Sequence, residues 1–150
     1  MGYVPYFAAV FARTESGWIG TDADLSELVS LDDVTDLMRE TAVEAVGDLV
    51  LMLMEENDTW FAVLRLEGDD EPRIFVSDPE AGRASRIAAH LTESLGELPE
   101  GEPAGEATLL ADLGTDPERL VELSERALPG DALTIVAEQA GFADEFDRLR

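Results

Sequence analysis

Two apolar runs joined by a short polar turn constrain the fold of this chain more than any other sequence feature. Residues 49–54 are all apolar, residues 60–66 are apolar except at Arg65, and a Glu-Glu-Asn-Asp turn follows the first run. A continuous apolar run of this length is typical of a strand in the middle of a sheet. Short turns join antiparallel neighbours, so the sequence predicts a central antiparallel hairpin. The run over 49–54 is far too short to span a bilayer.

Further strands and a helix are predicted on either side of this hairpin. Residues 6–12 and a shorter strand that begins at Trp18 predict a first hairpin. Ser30 opens a helix-start box, and the apolar residues that follow at helical spacing predict a helix over about 31–46. Residues 73–76 predict the last strand of the sheet.

A second helix is predicted directly after that strand. Pro79 suits a first helical turn, and an apolar stripe continues to Leu95 before Gly96 ends the helix. The resulting order β-β-α-β-β-β-α predicts an α+β fold with an antiparallel sheet. This order is similar to that of the longin, roadblock and profilin-like layer folds. Because such folds mostly serve as interaction platforms, the similarity favours a binding function.

The composition divides the chain into three predicted parts. Residues 1–96 contain the sheet domain, and residues 97–106 hold two prolines, two glycines and four glutamates, as an acidic solvated linker does. Residues 107–150 predict a helical C-terminal segment with helix ends at Gly114 and Gly141. Because this segment is too small for a core of its own, we expect it to dock on the sheet domain or on a partner.

The charge of the chain excludes several classes of function. It has 34 acidic residues against 10 basic ones, all of them arginine, and a net charge of −24. Affinity for phosphate backbones comes mainly from Lys and Arg, so we expect no direct binding to nucleic acid or to a membrane. The N-terminus lacks the basic region of a signal peptide, and we therefore expect a soluble cytoplasmic protein.

The candidate site residues are few. The chain has no cysteine and one histidine, His90, and its acidic pairs are too abundant to be specific acid–base signals. We therefore predict no catalytic residue, no metal ligand and no cofactor. Trp18 and Trp60 are the candidates for partner binding, since tryptophan is enriched at interface hot spots and these two could share one sheet face. The alternative for both is ordinary core or cross-strand packing.

Five segments carry a resemblance to a known family. They read Phe-Ala-Ala-Val at 7–10, Gly-Trp at 17–18, Trp-Phe-Ala-Val-Leu-Arg at 60–65, Pro-Arg-Ile-Phe-Val-Ser-Asp at 72–78 and Ala-Gly-Glu-Ala-Thr-Leu-Leu-Ala-Asp-Leu-Gly at 104–114. By their order and spacing the chain resembles the actinobacterial family of tRNA adenosine deaminase-associated proteins over nearly its whole length. The resemblance implies an association with that deaminase.

The chain cannot itself be a zinc deaminase. Such an enzyme needs His-x-Glu and Pro-Cys-x-x-Cys segments to hold its metal, whereas His90 precedes Leu-Thr and no cysteine is present. Three hypotheses stay open. The protein is a non-catalytic accessory protein for a basic protein partner, with the deaminase the favoured candidate. Alternatively, it is a regulatory scaffold of longin or roadblock type that dimerises through a helix or through a sheet edge, at residues 73–76 or at the first hairpin. The third hypothesis is a hydrolase that uses only carboxylates and Mg²⁺.

Overall fold

A six-stranded antiparallel sheet forms the centre of the protein. The computed structural model describes residues 6–26, 30–42, 49–68, 71–83, 85–95 and 102–149. The strand order across the sheet is β2-β1-β3-β4-β5-β6, and every neighbouring pair is antiparallel. The strands are β1 (Tyr6–Thr14), β2 (Gly17–Asp22), β3 (Leu49–Glu56), β4 (Trp60–Glu67), β5 (Arg73–Val76) and β6 (Ala104–Gly105).

The helices occupy the predicted places in the chain, with α1 between β2 and β3 and α2 after β5. The α-helices are α1 (Leu31–Ala42), α2 (Arg86–Thr92), α3 (Pro117–Arg126), α4 (Pro129–Ala140) and α5 (Ala143–Leu149), and 3₁₀ helices span Pro79–Arg83, Glu93–Leu95 and Ala107–Leu113. The predicted α+β class and the order β-β-α-β-β-β-α are confirmed. The predicted extension of the first helix to residue 46 and the helix end at Gly96 lie outside the described residues. No helix in the described part of the chain combines the length and apolarity needed to cross a membrane.

Helices cover both faces of the sheet. On one face, called the α1/α2 face, even-numbered residues of β3 and β4 such as Met52 and Leu64 pack with α1 and α2. On the other, called the C-terminal face, odd-numbered residues such as Leu51 and Val63 pack with the helices of 107–149. Because β3 and β4 are buried on both sides, their sequences are continuous apolar runs and do not alternate with polar residues.

Aromatic packing joins the C-terminal segment to the sheet. Phe142, which precedes α5, stacks on Phe11 of β1 with ring centroids 4.4 Å apart. Phe146 of α5 meets Phe7 edge to face at 5.3 Å. We expected this segment to dock on the sheet domain or on a partner, and in the structure it docks on the sheet domain.

A sixth strand lies within the segment whose composition predicted only a linker. Ala104 is buried and pairs with Val76, and the backbone N–H of Glu106 donates to the carbonyl of Ile74 at 2.8 Å. Gly105 has φ +94°, and a Cβ there would collide with the Ile74 carbonyl oxygen. The strand β5 over 73–76 therefore lies inside the sheet, and its prediction as a candidate edge for dimerisation is wrong. The edges are β6 and β2 of the first hairpin.

The helix predicted from Ser77 onwards is split into two pieces. A 3₁₀ helix spans Pro79–Arg83, and α2 begins only after Ser85. The Ser85 hydroxyl oxygen accepts a hydrogen bond from the backbone N–H of Ala88 at 3.1 Å, which satisfies an early donor of α2. A local N-cap at Ser85 thus starts the α-helix later than the apolar stripe predicted.

Candidate functional site

The two tryptophans lie on opposite faces of the sheet. Trp60 is buried in the core of the α1/α2 face, whereas Trp18 is half-buried at the margin of the C-terminal face. Trp18 lies opposite Arg13 in β1, whose odd-numbered residues face the C-terminal side. In β4 the even-numbered residues, Trp60 among them, face α1 and α2. A joint recognition surface requires both side chains on one face of the sheet, and Trp18 and Trp60 lie on different faces.

Each tryptophan has packing partners of its own. The Trp18 ring lies 4.8 Å from that of Phe142, and the Arg13 guanidinium carbon lies 6.0 Å from the Trp18 ring centroid. The Trp60 indole N–H donates to Glu56 Oε1 at 3.2 Å. Trp60 therefore fixes the Glu56 carboxylate at the end of β3, where a concave surface begins.

That concave surface is a pair of adjoining clefts at the β3–β4 turn end of the sheet, which we call the acidic groove. The clefts measure about 390 and 400 Å³ and share Thr59, Asp78 and Glu80. The first lies beside the corner between α3 and α4, and the second lies beside the start of α2. The lining residues are Glu56, Asn57, Thr59, Trp60, Phe61, Ser77, Asp78, Glu80, Ala81, Ser85, Glu102, Pro103, Ser124, Glu125, Ala127 and Pro129.

Backbone hydrogen bonds hold the walls of the groove. In the β3–β4 turn, Asn57 and Asp58 both have positive φ (51° and 57°), a conformation that Asn and Asp tolerate better than most residues. Thr59 N–H donates to the Glu56 carbonyl at 3.0 Å. The Ser77 hydroxyl oxygen accepts from Phe61 N–H at 2.9 Å. The groove is therefore built on strand ends and tight turns.

The ionisable groups that line the groove all have the same sign. They are the carboxylates of Glu56, Asp78, Glu80, Glu102 and Glu125. Within the described ranges, no arginine forms an ion pair with any of them, since the ion pairs of those ranges lie elsewhere. The Asp78 carboxylate accepts a hydrogen bond from the Glu80 backbone N–H at 3.0 Å. The groove thus presents a concentrated negative potential to solvent.

Sequence reasoning did not identify the groove residues. They come from four separate segments, and each carboxylate looks like any other acidic residue of a turn or helix end. Only the fold brings Asp78, Glu102 and Glu125 to one cleft. No local spacing in the sequence could have signalled this arrangement.

A second polar cluster, centred on Arg65, has a structural role. Arg65 is the one non-apolar residue of the run over 60–66, and it is 6 % exposed on the C-terminal face. Its guanidinium donates to both carboxylate oxygens of Asp112 at 2.5 and 2.8 Å, to the Leu109 carbonyl at 2.7 Å and to Glu67 at 2.6 Å. These bonds attach the 3₁₀ helix Ala107–Leu113 to the centre of the sheet.

The cluster has the electrostatics of a stable ion pair. The hydrogen bond from Arg65 lowers the pKa of the Asp112 carboxyl, and the same bond raises the pKa of the Arg65 guanidinium. On the neighbouring strand Arg73 donates to Glu106 at 2.6 Å, which adds a second attachment for the segment before the 3₁₀ helix. The signal in the sequence was the single arginine in an apolar run, but its partner 47 residues away could not be inferred.

The described residues contain no group of three or more His, Asp or Glu side chains arranged to hold a metal ion.

Two carboxyl groups have pKa values that hydrogen bonds shift downward. Hydrogen bonds from Ser26 lower the pKa of Asp24, as the bond from Arg65 does for Asp112. Neither carboxyl therefore has the raised pKa that a general acid needs at neutral pH.

Comparison with known proteins identifies one family. The family model described as Rv3753c-like tRNA adenosine deaminase-associated protein matches residues 6–143. The match runs from β1 to the first residue of α5, so it includes the whole sheet and the helices α1 to α4. The comparisons with curated proteins and with solved structures found no match.

Proposed function

The chain belongs to the Rv3753c-like tRNA adenosine deaminase-associated protein family, and from this premise we propose that it is a non-catalytic accessory protein that contacts a tRNA adenosine deaminase directly in the cytoplasm. The chain lacks cysteine and any His-x-Glu segment, so it does not supply the zinc chemistry of deamination. Its contribution to tRNA editing is therefore a contact with the enzyme.

The observation that carries the proposal is the acidic groove. Five carboxylates line it, none has an arginine partner among the described residues, and the whole chain carries a net charge of −24. An enzyme that binds tRNA presents Lys and Arg to the phosphate backbone. Opposite potentials of this kind accelerate encounter and orient the partners.

Such a contact has two functional consequences that kinetics separates. If the acidic surface covers the tRNA-binding surface of the deaminase, the protein competes with tRNA and an excess of it lowers the deamination rate. If it protects the free enzyme as a chaperone, the rate on tRNA is preserved and the half-life of the enzyme increases. Both consequences require a direct complex, whereas unchanged deaminase kinetics together with an unchanged half-life would contradict the proposal.

Size-exclusion chromatography with light scattering tests the complex. The protein and the tRNA adenosine deaminase of the same organism are run alone and mixed, at low and at high salt. The proposal predicts a mixed peak at low salt that dissociates at high salt, because screening weakens exposed charge pairs. A lone dimer that resists salt, with no mixed peak, would instead favour the homodimeric scaffold, with β2 of the first hairpin as a sheet edge for pairing.

A further inference from the structure

One large apolar side chain stands out on the surface beside the acidic groove. Leu128 is 59 % exposed, and it is the exposed large hydrophobic residue of the described part of the chain. It lies in the corner between α3 and α4, and its two neighbours in the chain, Ala127 and Pro129, line the groove. The exposed leucine is therefore placed at the rim of the first cleft.

The Leu128 side chain lies mostly outside the core and does not cap the helix that the residue begins. It occupies the N-cap position of α4, with φ −67° and ψ 147°, and its side chain makes no capping hydrogen bond. Ser, Thr, Asp and Asn are the residues that stabilise this position. A residue that departs from local stability rules without compensation elsewhere in the fold is a candidate for a functional role.

The first cleft, beside Leu128, is lined by both acidic and apolar residues. Its carboxylates are those of Asp78, Glu80, Glu102 and Glu125. The exposed apolar side chain beside them is that of Leu128. An occupant that matches this surface must bring an apolar side chain to meet Leu128 and positive charges to meet the carboxylates.

We propose that the groove at the α3–α4 corner binds a segment of the deaminase in which an apolar side chain is flanked by arginine or lysine, with Leu128 as the apolar anchor. This assignment rests on the proposed function and identifies the surface that contacts the deaminase. Charge complementarity selects the occupant. A second copy of this chain would bring another net charge of −24 to the complex, and a nucleic acid would bring phosphates of the same sign as the carboxylates of the cleft.

Substitution of Leu128 separates this proposal from a purely electrostatic contact. L128S removes the apolar anchor, and L128D removes it while adding one negative charge. An apolar anchor of this size predicts that both variants raise the Kd for the deaminase about tenfold or more. A contact made by charge alone predicts no change for L128S and tighter binding for L128D.

The experiment is a titration of the labelled deaminase with wild type, L128S, L128D, E125Q and E138Q at one low salt concentration. Glu125 lines the groove, whereas Glu138 is an exposed residue of α4 outside its lining. E125Q and E138Q remove the same charge, so a larger rise in Kd for E125Q localises the contact. Ser and Asp are better N-caps than Leu, so the thermal midpoints of L128S and L128D should equal or exceed that of wild type.

The outcomes distinguish the groove assignment from the accessory function on which it rests. Weaker binding by both Leu128 variants, with E125Q more affected than E138Q, supports the groove as the binding surface. Binding by wild type that neither Leu128 variant weakens would overturn the groove assignment and leave the accessory function intact. Absence of binding by wild type would overturn both.

Discussion

The two faces of the sheet are covered by helices in different ways. The α1/α2 face packs mainly aliphatic and methionine side chains, among them Val10, Met38 and Met52, beneath α1 and α2, and the ring of Trp60 is also buried there. The C-terminal face packs more rings, with Phe11 in contact with both Phe142 and Phe146, and it also buries the guanidinium of Arg65. Arg65 is the one buried charged residue of the described ranges.

This difference explains how a short helical segment is held in one position. Apolar packing is not directional, whereas a bidentate arginine–carboxylate pair has a fixed geometry. The Arg65–Asp112 pair therefore sets where the 3₁₀ helix Ala107–Leu113 lies on the sheet, and the buried apolar side chains of this face supply most of the stabilisation. The corner between α3 and α4, which carries one side of the acidic groove, belongs to this anchored layer.

The largest expected effect comes from removing a ring of the C-terminal face. F142A deletes a fully buried side chain that stacks on Phe11 and contacts Trp18. We expect the free energy of unfolding in urea to fall by about 3–5 kcal/mol. L128A, at an exposed position of the same layer, should change it by less than about 0.5 kcal/mol.

The same urea experiment tests whether the two faces unfold together. Trp60 reports on the α1/α2 face and Trp18 on the C-terminal face, so W18F and W60F variants each leave a single fluorescent reporter. Coincident transitions are expected, because both helical layers share one sheet. A transition at lower urea for the Trp18 signal alone would show that residues 107–149 form a separate unit.

The next effect tests the short strand β6. G105A places a Cβ against the Ile74 carbonyl oxygen at a residue with φ +94°. We expect a loss of about 2–4 kcal/mol in the free energy of unfolding. G17A is the matched control, since Gly17 also has positive φ (126°) but an added Cβ would meet no atom within 4 Å. Equal losses for the two variants would mean that β6 is not paired as described.

A smaller effect, dependent on pH, tests the ionic anchor. D112N should lower the free energy of unfolding by about 1–2 kcal/mol near neutral pH, since the carboxylate is mostly exposed and part of its interaction is screened. Because the Arg65 bond lowers the pKa of Asp112 in the folded state, this contribution is complete above the unfolded pKa of about 3.9. It is lost as the pH falls through the lower folded pKa.

Urea transitions of wild type and D112N at a series of pH values measure this contribution. The difference between the two proteins should stay constant above about pH 5 and shrink towards zero in stronger acid. D36N, at an exposed position of α1, serves as the control. A difference that grows with acidification would contradict the assigned direction of the pKa shift.

The smallest effect is an increase in stability. L128S supplies a hydroxyl at the N-cap of α4, where Leu128 makes no capping bond. We expect the free energy of unfolding to rise by about 0.5–1 kcal/mol. A decrease would show that Leu128 contributes to the packing of this corner, and calorimetry of the two proteins at the same pH decides between the two results.

The sequence predicts those parts of the fold that local patterns determine. The apolar runs of β3 and β4 and the helix ends at Gly114 and Gly141 are all present. The strand β6 is only two residues long, and it forms because Gly105 permits close approach to β5. Its surrounding prolines and glutamates are typical of a linker, so composition pointed away from it.

The functional surface is less accessible to sequence reasoning than the fold. Trp60 was a candidate for partner binding, and it is buried with its indole N–H on Glu56. The residues that line the groove come from segments far apart in the chain, and their acidity is shared by many other positions. Leu128 follows Leu120, Val121 and Leu123 in a pattern that predicts one buried helix face, and for Leu128 this prediction is wrong, because the side chain is 59 % exposed at the corner after α3.

Hydrogen exchange of the protein with and without the tRNA adenosine deaminase tests the central claim most directly. The claim is that the enzyme binds at the acidic groove on the anchored C-terminal layer. We predict added protection around residues 77–80 and 124–131, with exchange in α1 unchanged. Protection confined to α1 or to the edge strand β2, or no protection at a concentration that saturates the complex, would contradict it.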